Sequence, residues 1–293
     1  MSRIGALRGW AALLAGPAAA GVVLAAAHTL PAPARLVAAL AVWMALWWLA
    51  APVPLAVTAL LPLALLPVAG GDAVEVVARR YADPIVFLFM GGFLLAAASE
   101  RWGLHRRLAY AVIALVGGDA PRVVLALMTA TALISMWISN TATAALMLPI
   151  TVALIELSRR EAPERARPFA AALVLGMAYA ASIGGVATLI GTPPTAIFAA
   201  AARTLAGRSV GFAEWLVVGL PISVIMLAFT WWLLVRVLFP VRGTLGGLAE
   251  HVRSERAALG SWTAGERTVV LVLAATALAW VLREFDLKFV VQH

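Results

Sequence analysis

One uncharged stretch, Ser135-Met-Trp-Ile-Ser139-Asn140-Thr141-Ala-Thr143-Ala-Ala-Leu-Met-Leu-Pro149, carries five small polar side chains within a long apolar run. No Asp, Glu, Lys or Arg stands between Arg122 and Glu156. In hydrocarbon an unsatisfied polar group costs several kcal/mol, so this cluster needs partners: backbone, water, or a bound ion and solute. Ser and Thr alone can bond back to the carbonyl four residues earlier or join helices together. Asn140 has more hydrogen-bonding sites and is costlier in lipid. Ser, Asn and Thr are favoured at helix N-caps, so Ser139-Asn140-Thr141 reads as a helix start. A helix start at membrane depth offers free N–H groups and the positive dipole end, which suit an anion.

A second constellation is Ala181-Ser182-Ile-Gly184-Gly185-Val-Ala-Thr188-Leu-Ile-Gly191-Thr192-Pro193-Pro194-Thr195. A kinked helix packed closely through small residues is one reading of it. Pro193 and Pro194 lack N–H groups, however, so carbonyls one turn back lose their donors. Freed carbonyls are oxygen ligands for a hard monovalent cation such as Na⁺. Discontinuous membrane helices use carbonyls in this way and aim helix N-termini at anionic groups. Both breaks are neutral: hydroxyls, amide oxygen and carbonyls suit Na⁺, while N–H and O–H groups suit a carboxylate or sulfate. Glu100, Arg122 and Glu156 fall near segment ends and read as solvated flanks rather than a proton relay.

The elements that must hold these residues are membrane helices. The 293 residues are 63% hydrophobic and 12% charged, with mean hydropathy +0.98, which makes an all-α, polytopic integral membrane protein. The net charge of +8 does not indicate nucleic acid, because the Arg residues sit in short loops between apolar spans. Cys is absent, the four His are scattered, and no G-x-x-x-x-G-K-[ST] phosphate loop is present. Residues 11–30 could pass for a signal peptide, but the spans that follow favour a first transmembrane helix.

Further spans are expected at 36–51, 55–69, 84–98, 169–202, 215–238 and 268–282. Trp43, Trp47 and Trp48 read as an interface belt, and Pro62 and Pro67 as kinks. Polar stretches are expected at 70–83, 100–107 and 159–168, the last two basic. These two flank residues 121–157, so both ends of that segment belong on one side of the membrane. About 36 residues with a break at Asn140 leave legs of about 17, short of the roughly 20 needed to span. Two full spans are just possible; a re-entrant hairpin with its tip at Ser139-Asn140-Thr141 fits better. With a cytoplasmic N-terminus in the cell (inner) membrane, fifteen of the 22 Lys and Arg fall inside and seven outside.

In these residues the chain resembles the divalent anion:sodium symporter family. The likeness rests on Ser139-Asn140-Thr141 through Pro149 and Gly184-Gly185 through Pro194, supported by Trp43 to Trp48, Tyr81 to Gly92 and Glu100 to Arg106. It implies one half of an inverted-repeat, elevator-type carrier that is homodimeric at full length. Residues 1–83 would be scaffold-type helices, 84–210 a transport-type region with the hairpin (121–157) and broken helix (169–202), and 211–293 further helices. Residue by residue, Ser135, Ser139, Asn140 and Gly191 match sodium ligands, and Asn140, Thr141 and Thr192 match substrate contacts. The substrate would be a succinate-, citrate- or sulfate-like anion, with sodium as the coupling ion and no nucleic acid partner.

Three departures stand out. Thr195 replaces an Asn common after the double proline. Ala51-Pro52 replaces a Glu-Pro. Only one Ser-Asn-Thr motif is present, so the chain reads as an N-terminal half with one sodium site and about half a substrate site. Symport and exchange both stay open. Rival readings are an ion channel with a pore loop, an assembly subunit, and a membrane enzyme, although no nucleophile–base pair or metal cluster is visible in the sequence.

Overall fold

Long apolar runs become helices because only internal hydrogen bonding satisfies a backbone placed in lipid. The computed structural model describes the backbone of residues 3–291 and side chains from Gly9 to Leu282; Arg3, Arg8, Arg283 and Lys288, used above for orientation, lie outside the described side chains. Among the described residues there are helices and no strand, apart from one isolated bridge between Asp119 and Thr244. Among the described residues seven helices are long and apolar enough to cross a membrane: Gly9–Ala26, Ala32–Ala50, Val74–Arg101, Asn140–Glu161, Pro163–Val186, Phe212–Leu238 and Ala264–Leu282. The chain divides into two compact units, Met1–Val86 and Phe87–His293.

In the first unit, α1 (Arg3–Ala26) and α2 (Ala32–Ala50) pack as a pair. Trp47 donates its indole N–H to Leu13 O at 3.0 Å and meets Trp43 edge-on at 5.4 Å. Gly16 lies beneath both rings, where a side chain would not fit. Trp47 is therefore buried helix-packing material rather than belt, while Trp48 is exposed. Ala51 ends α2 in the left-handed region, φ 45, and Pro52 follows. The expected third span is two short helices, α3 (Leu55–Ala59) and α4 (Leu61–Val68). Pro62 cannot donate back to Thr58, so the helix breaks at Leu60. The polar stretch that follows holds α5 (Val74–Tyr81), whose Tyr81 hydroxyl donates to Ala59 O at 2.7 Å.

The second unit takes in most of α6 (Pro84–Arg101), then α7 (Leu104–Ile113), α8 (Ala120–Ser135), α9 (Asn140–Glu161), α10 (Pro163–Val186) and α11 (Pro193–Ala206). It ends with α12 (Phe212–Trp232), prolonged as a π-helical stretch to Leu238, α13 (Leu248–Leu259) and α14 (Ala264–Val291). α8 is buried nearly all round, with Val123, Val124, Leu127, Met128 and Ala130 at 0% exposure. A helix apolar on every face belongs inside a bundle. α10 packs along both α8 and α9. The expected basic loop at 159–168 is mostly helix, for α9 runs to Glu161 and α10 starts at Pro163. Proline is tolerated at a first helical position because its missing N–H had no partner there anyway.

The two ends of the predicted hairpin lie together. Asp119 caps α8 by accepting from Arg122 N, and Ala120 N donates to Gly243 O at 3.0 Å. Leu245 N donates to Gly118 O at 2.8 Å, and Gly247 N donates to Glu161 at the far end of α9. One short segment, 243–247, thus ties down both legs. At 1.5 Å per residue α8 is about 24 Å long and α9 about 33 Å. α9 alone of the two is long enough to cross.

Candidate functional site

Residues 136–139 turn the chain from α8 into α9. Ser139 takes the N-cap position with φ −56 and ψ 147, and its hydroxyl accepts from Ala142 N at 3.4 Å. Asn140 is the first residue of α9, as its chemistry predicts. In the second constellation the helix runs straight through Gly184-Gly185 and stops at Val186. The break is residues 187–192, and Thr192 stands at the N-cap of α11 in extended backbone without a side-chain cap bond.

These two breaks meet. Ser135 Oγ donates to Ala181 O at 2.6 Å and stands 3.1 Å from Asn140 Oδ1. One hydroxyl proton serves one acceptor well, and the shorter contact takes it. The Ser135 lone pairs then face the Asn140 side-chain amide, whose NH₂ group can donate to them or whose oxygen can share a cation with them. A Cβ on Gly191 would lie 2.5 Å from Gly185 O and 2.8 Å from Ser135 O. A Cβ on Gly185 would collide with Asn140 Oδ1 and stand 3.2 Å from Gly191 O. Glycine is required at both places by this close approach of oxygens. Ser135, Asn140, Gly185 and Gly191 therefore assemble a neutral cluster of oxygens.

Thr188, fully buried, donates to Met136 O at 2.6 Å and accepts from Gly191 N at 3.0 Å. Thr195, also buried, turns its hydroxyl into its own loop, 2.7 Å from Thr192 O and 3.0 Å from Leu189 O. α12 braces the break from outside. Trp215 donates to Val186 O at 2.8 Å and Ser223 to Ile183 O at 2.9 Å, satisfying carbonyls that a helix end leaves open. Packing between α8 and α10 is close because Gly184 lies against the Ala132 backbone and Gly176 against Met128.

The electrostatics follow from helix ends alone, since no Asp, Glu, Lys or Arg lies in residues 123–155 or 168–202. The C-termini of α8 and α10 bring partial negative charge, and the N-termini of α9 and α11 partial positive charge. The carbonyl ends favour a cation and the N–H ends an anion. α11 contributes less on the anion side than a typical start, because Pro193 and Pro194 occupy its first positions and have no N–H. Anion capture therefore falls mainly to the start of α9.

Of the residues singled out by sequence, Ser135, Asn140 and Gly191 come together directly. Ser139 serves its own helix as cap. Thr141 is exposed beside Asn140, and Thr192 is buried beside Gly191. No hydrogen bond joins Thr192 to Asn140 or Thr141 among the described residues. Trp215 and Ser223 are site-building residues that the sequence did not single out, and Gly185 and Thr188, named there within the second constellation, were given no role in the site. For Thr188 the available signal was a hydroxyl five residues ahead of the proline pair.

The family described as CitMHS, citrate transporter, matches residues 44–291. The chain is 40% identical over 259 residues to a sodium-dependent dicarboxylate transporter SdcS of Staphylococcus saprophyticus, covering 86% of this chain and 50% of that protein. It is 37% identical over 266 residues to the protein of the same name from Staphylococcus aureus, covering 88% and 51%. The chain thus spans about half the length of the relatives it matches. The family and these relatives are transporters, not enzymes. With a match that takes in both discontinuous segments and most of the helices around them, this multi-pass membrane chain belongs to the citrate transporter family.

Proposed function

We propose that this chain forms a sodium site and the first part of an anion site in a sodium-coupled carrier of di- or tricarboxylates. The observation that carries the reading is the meeting of the helix break before Asn140 with the break before Pro193. It places carbonyl, hydroxyl and amide oxygens of Ser135, Asn140, Gly185 and Gly191 at one point. Sodium, as cargo, binds among these oxygens and orders the hairpin tip. The anion then docks on the N–H groups and side chains at Asn140 and Thr141, with Thr192 joining from the second break. Sodium dependence and dicarboxylate transport in the names of the relatives support both halves of this scheme. The hairpin tip sits at membrane depth and the N-terminus in the cytoplasm, in keeping with the basic flanks. The bracing of the break by Trp215 and Ser223 supports a moving region that extends past residue 210 to include α12.

The test is thermal stability of the purified 293-residue chain in Na⁺ against choline, followed by addition of succinate, citrate or sulfate. A ligand present at about 100 times its Kd adds roughly 2.7 kcal/mol to the folded state. A Na⁺-specific rise in Tm is expected, absent in Asn140→Ala, with a further rise from the transported class of anion. A Na⁺ response that persists in Asn140→Ala would refute the site.

A further inference from the structure

Two other fully buried threonines of this bundle bond back along their own helices. Thr131 Oγ1 donates to Leu127 O at 2.7 Å and Thr151 Oγ1 to Met147 O at 2.9 Å, each one turn back. Thr188 does something else. It lies in the non-helical break, fully buried, and its hydroxyl reaches across 52 residues of chain to Met136 O in the hairpin turn. The same oxygen accepts from Gly191 N at 3.0 Å. One hydroxyl thus uses its proton on one break and its lone pair on the other.

This has two geometric consequences. The Gly191 N–H is occupied, which fixes the Ile190–Gly191 peptide, and the carbonyl of Gly191, on the next peptide, lies beside Gly185. Met136 immediately follows Ser135, so the bond to Met136 O also holds the end of α8, where Ser135 contributes its oxygens. Thr195 completes the loop from the other side, its hydroxyl 2.7 Å from Thr192 O. Neither threonine needs to touch a bound ion for this to matter. A cation site made of neutral oxygens from two separate breaks depends on their spacing, because no formal charge compensates for a misplaced ligand.

We propose that Thr188 is the positioning residue for the sodium site: a clasp that registers the hairpin turn against the broken helix and holds the chain at Gly191 in place beside Ser135 and Gly185. The inference rests on the sodium reading given above. It is separated from that reading by comparing Thr188 with a threonine of equal burial and no cross-link.

The experiment titrates Na⁺ against the thermal unfolding of wild type, Thr188→Val, Thr188→Ser and Thr131→Val, with choline holding ionic strength constant. Each valine removes one buried hydroxyl, so both lower Tm in choline. Only Thr188→Val should also raise the half-saturating Na⁺ concentration, by about tenfold or more. Thr188→Ser, which keeps the hydroxyl, should stay within about threefold of wild type. Equal midpoints for Thr188→Val and Thr131→Val would overturn the clasp and reduce Thr188 to a structural bond. No Na⁺ response in wild type would overturn the sodium reading itself, and the clasp with it. If Thr188→Val does not fold, Thr188→Cys supplies the comparison, since a thiol is a weak donor and acceptor of similar size. Its midpoint should lie clearly above that of Thr188→Ser, and equality of the two would overturn the proposal.

Discussion

Replacing Gly184 by Ala adds one methyl group where α8 and α10 approach through their backbones. The new Cβ would lie 2.5 Å from Ala132 Cα and 2.7 Å from Ala132 C, with Ala132 O also inside contact distance. Ordinary carbon–carbon separations are 3.5–4.0 Å, so the helices must part locally by about 1 Å. Overpacking of this kind costs about 1–3 kcal/mol, and an obstacle made of backbone rather than a flexible side chain puts it in the upper half of that range. At roughly 2–4 °C per kcal/mol for a chain of this order of size, Tm should fall by about 4–12 °C. The functional effect is separable. Ser135 lies one turn after Ala132 on the same helix, and a shift of about 1 Å there stretches its 2.6 Å bond to Ala181 O beyond hydrogen-bonding range. Gly184→Ala should therefore lose Na⁺-induced stabilisation as well as baseline stability. Gly91→Ala is the control: its Cβ meets nothing within 4 Å, and Ala is the better helix former by up to about 1 kcal/mol. A Gly184→Ala protein within about 1 °C of wild type, with its Na⁺ response intact, would refute the close approach on which the site depends.

Two further outcomes are expected away from the site. Arg107 pairs with Glu266 at 2.8 Å, with side chains only 15% and 5% exposed, and also donates to Leu259 O and Gly260 O. Arg107→Met strands a buried carboxylate and should destabilise by about 3 kcal/mol, whereas Arg107→Met combined with Glu266→Gln should recover part of this. Equal losses of Tm in the single and double variants would show that the buried charge is not the cause. His105, in α7, is buried with its Nδ1 lacking a hydrogen bond, and burial, followed by the neighbouring Arg106, holds its pKa below the ordinary 6.5. The unfolded chain therefore takes up a proton before the folded one, so stability should fall as pH drops from ~7.5 to ~5.5, while above that range His105 contributes no pH dependence. Thermal unfolding across this range should show a shallower slope in His105→Phe, and an unchanged slope would count against the buried neutral histidine.

Local chemistry made much of this molecule legible. The start of α9 was readable because Ser139 and Asn140 are N-cap residues in an apolar setting, and the break before α11 because two prolines cannot donate. The basic flanks suggested that both ends of the hairpin lie on one side of the membrane; that the loop 243–247 bonds to both ends came only from the structure. Local signals misled where a residue's partner lies far away in the chain. Trp47 is amphipathic and reads as an interface residue, yet Leu13 O and the gap left by Gly16 draw it into a helix contact. Gly184-Gly185 looks like a helix breaker, yet the helix continues, because its missing side chains make room for Ala132 and Asn140. The basic run after Arg159 looks like a loop, yet Pro163 simply starts the next helix.

From the sequence alone came the family resemblance, the membrane-spanning helices and the positions of the two breaks, all set by hydropathy, proline and capping over a few neighbouring residues. Only the tertiary structure decided that Ser135 and Asn140 meet Gly185 and Gly191, that Thr188 joins the two breaks, and that α12 closes the carbonyls of Ile183 and Val186. The physical reason is distance along the chain. Helix ends create their unsatisfied groups locally, but the atoms that satisfy them here come from elements some 30 to 50 residues away, and only packing brings them within reach.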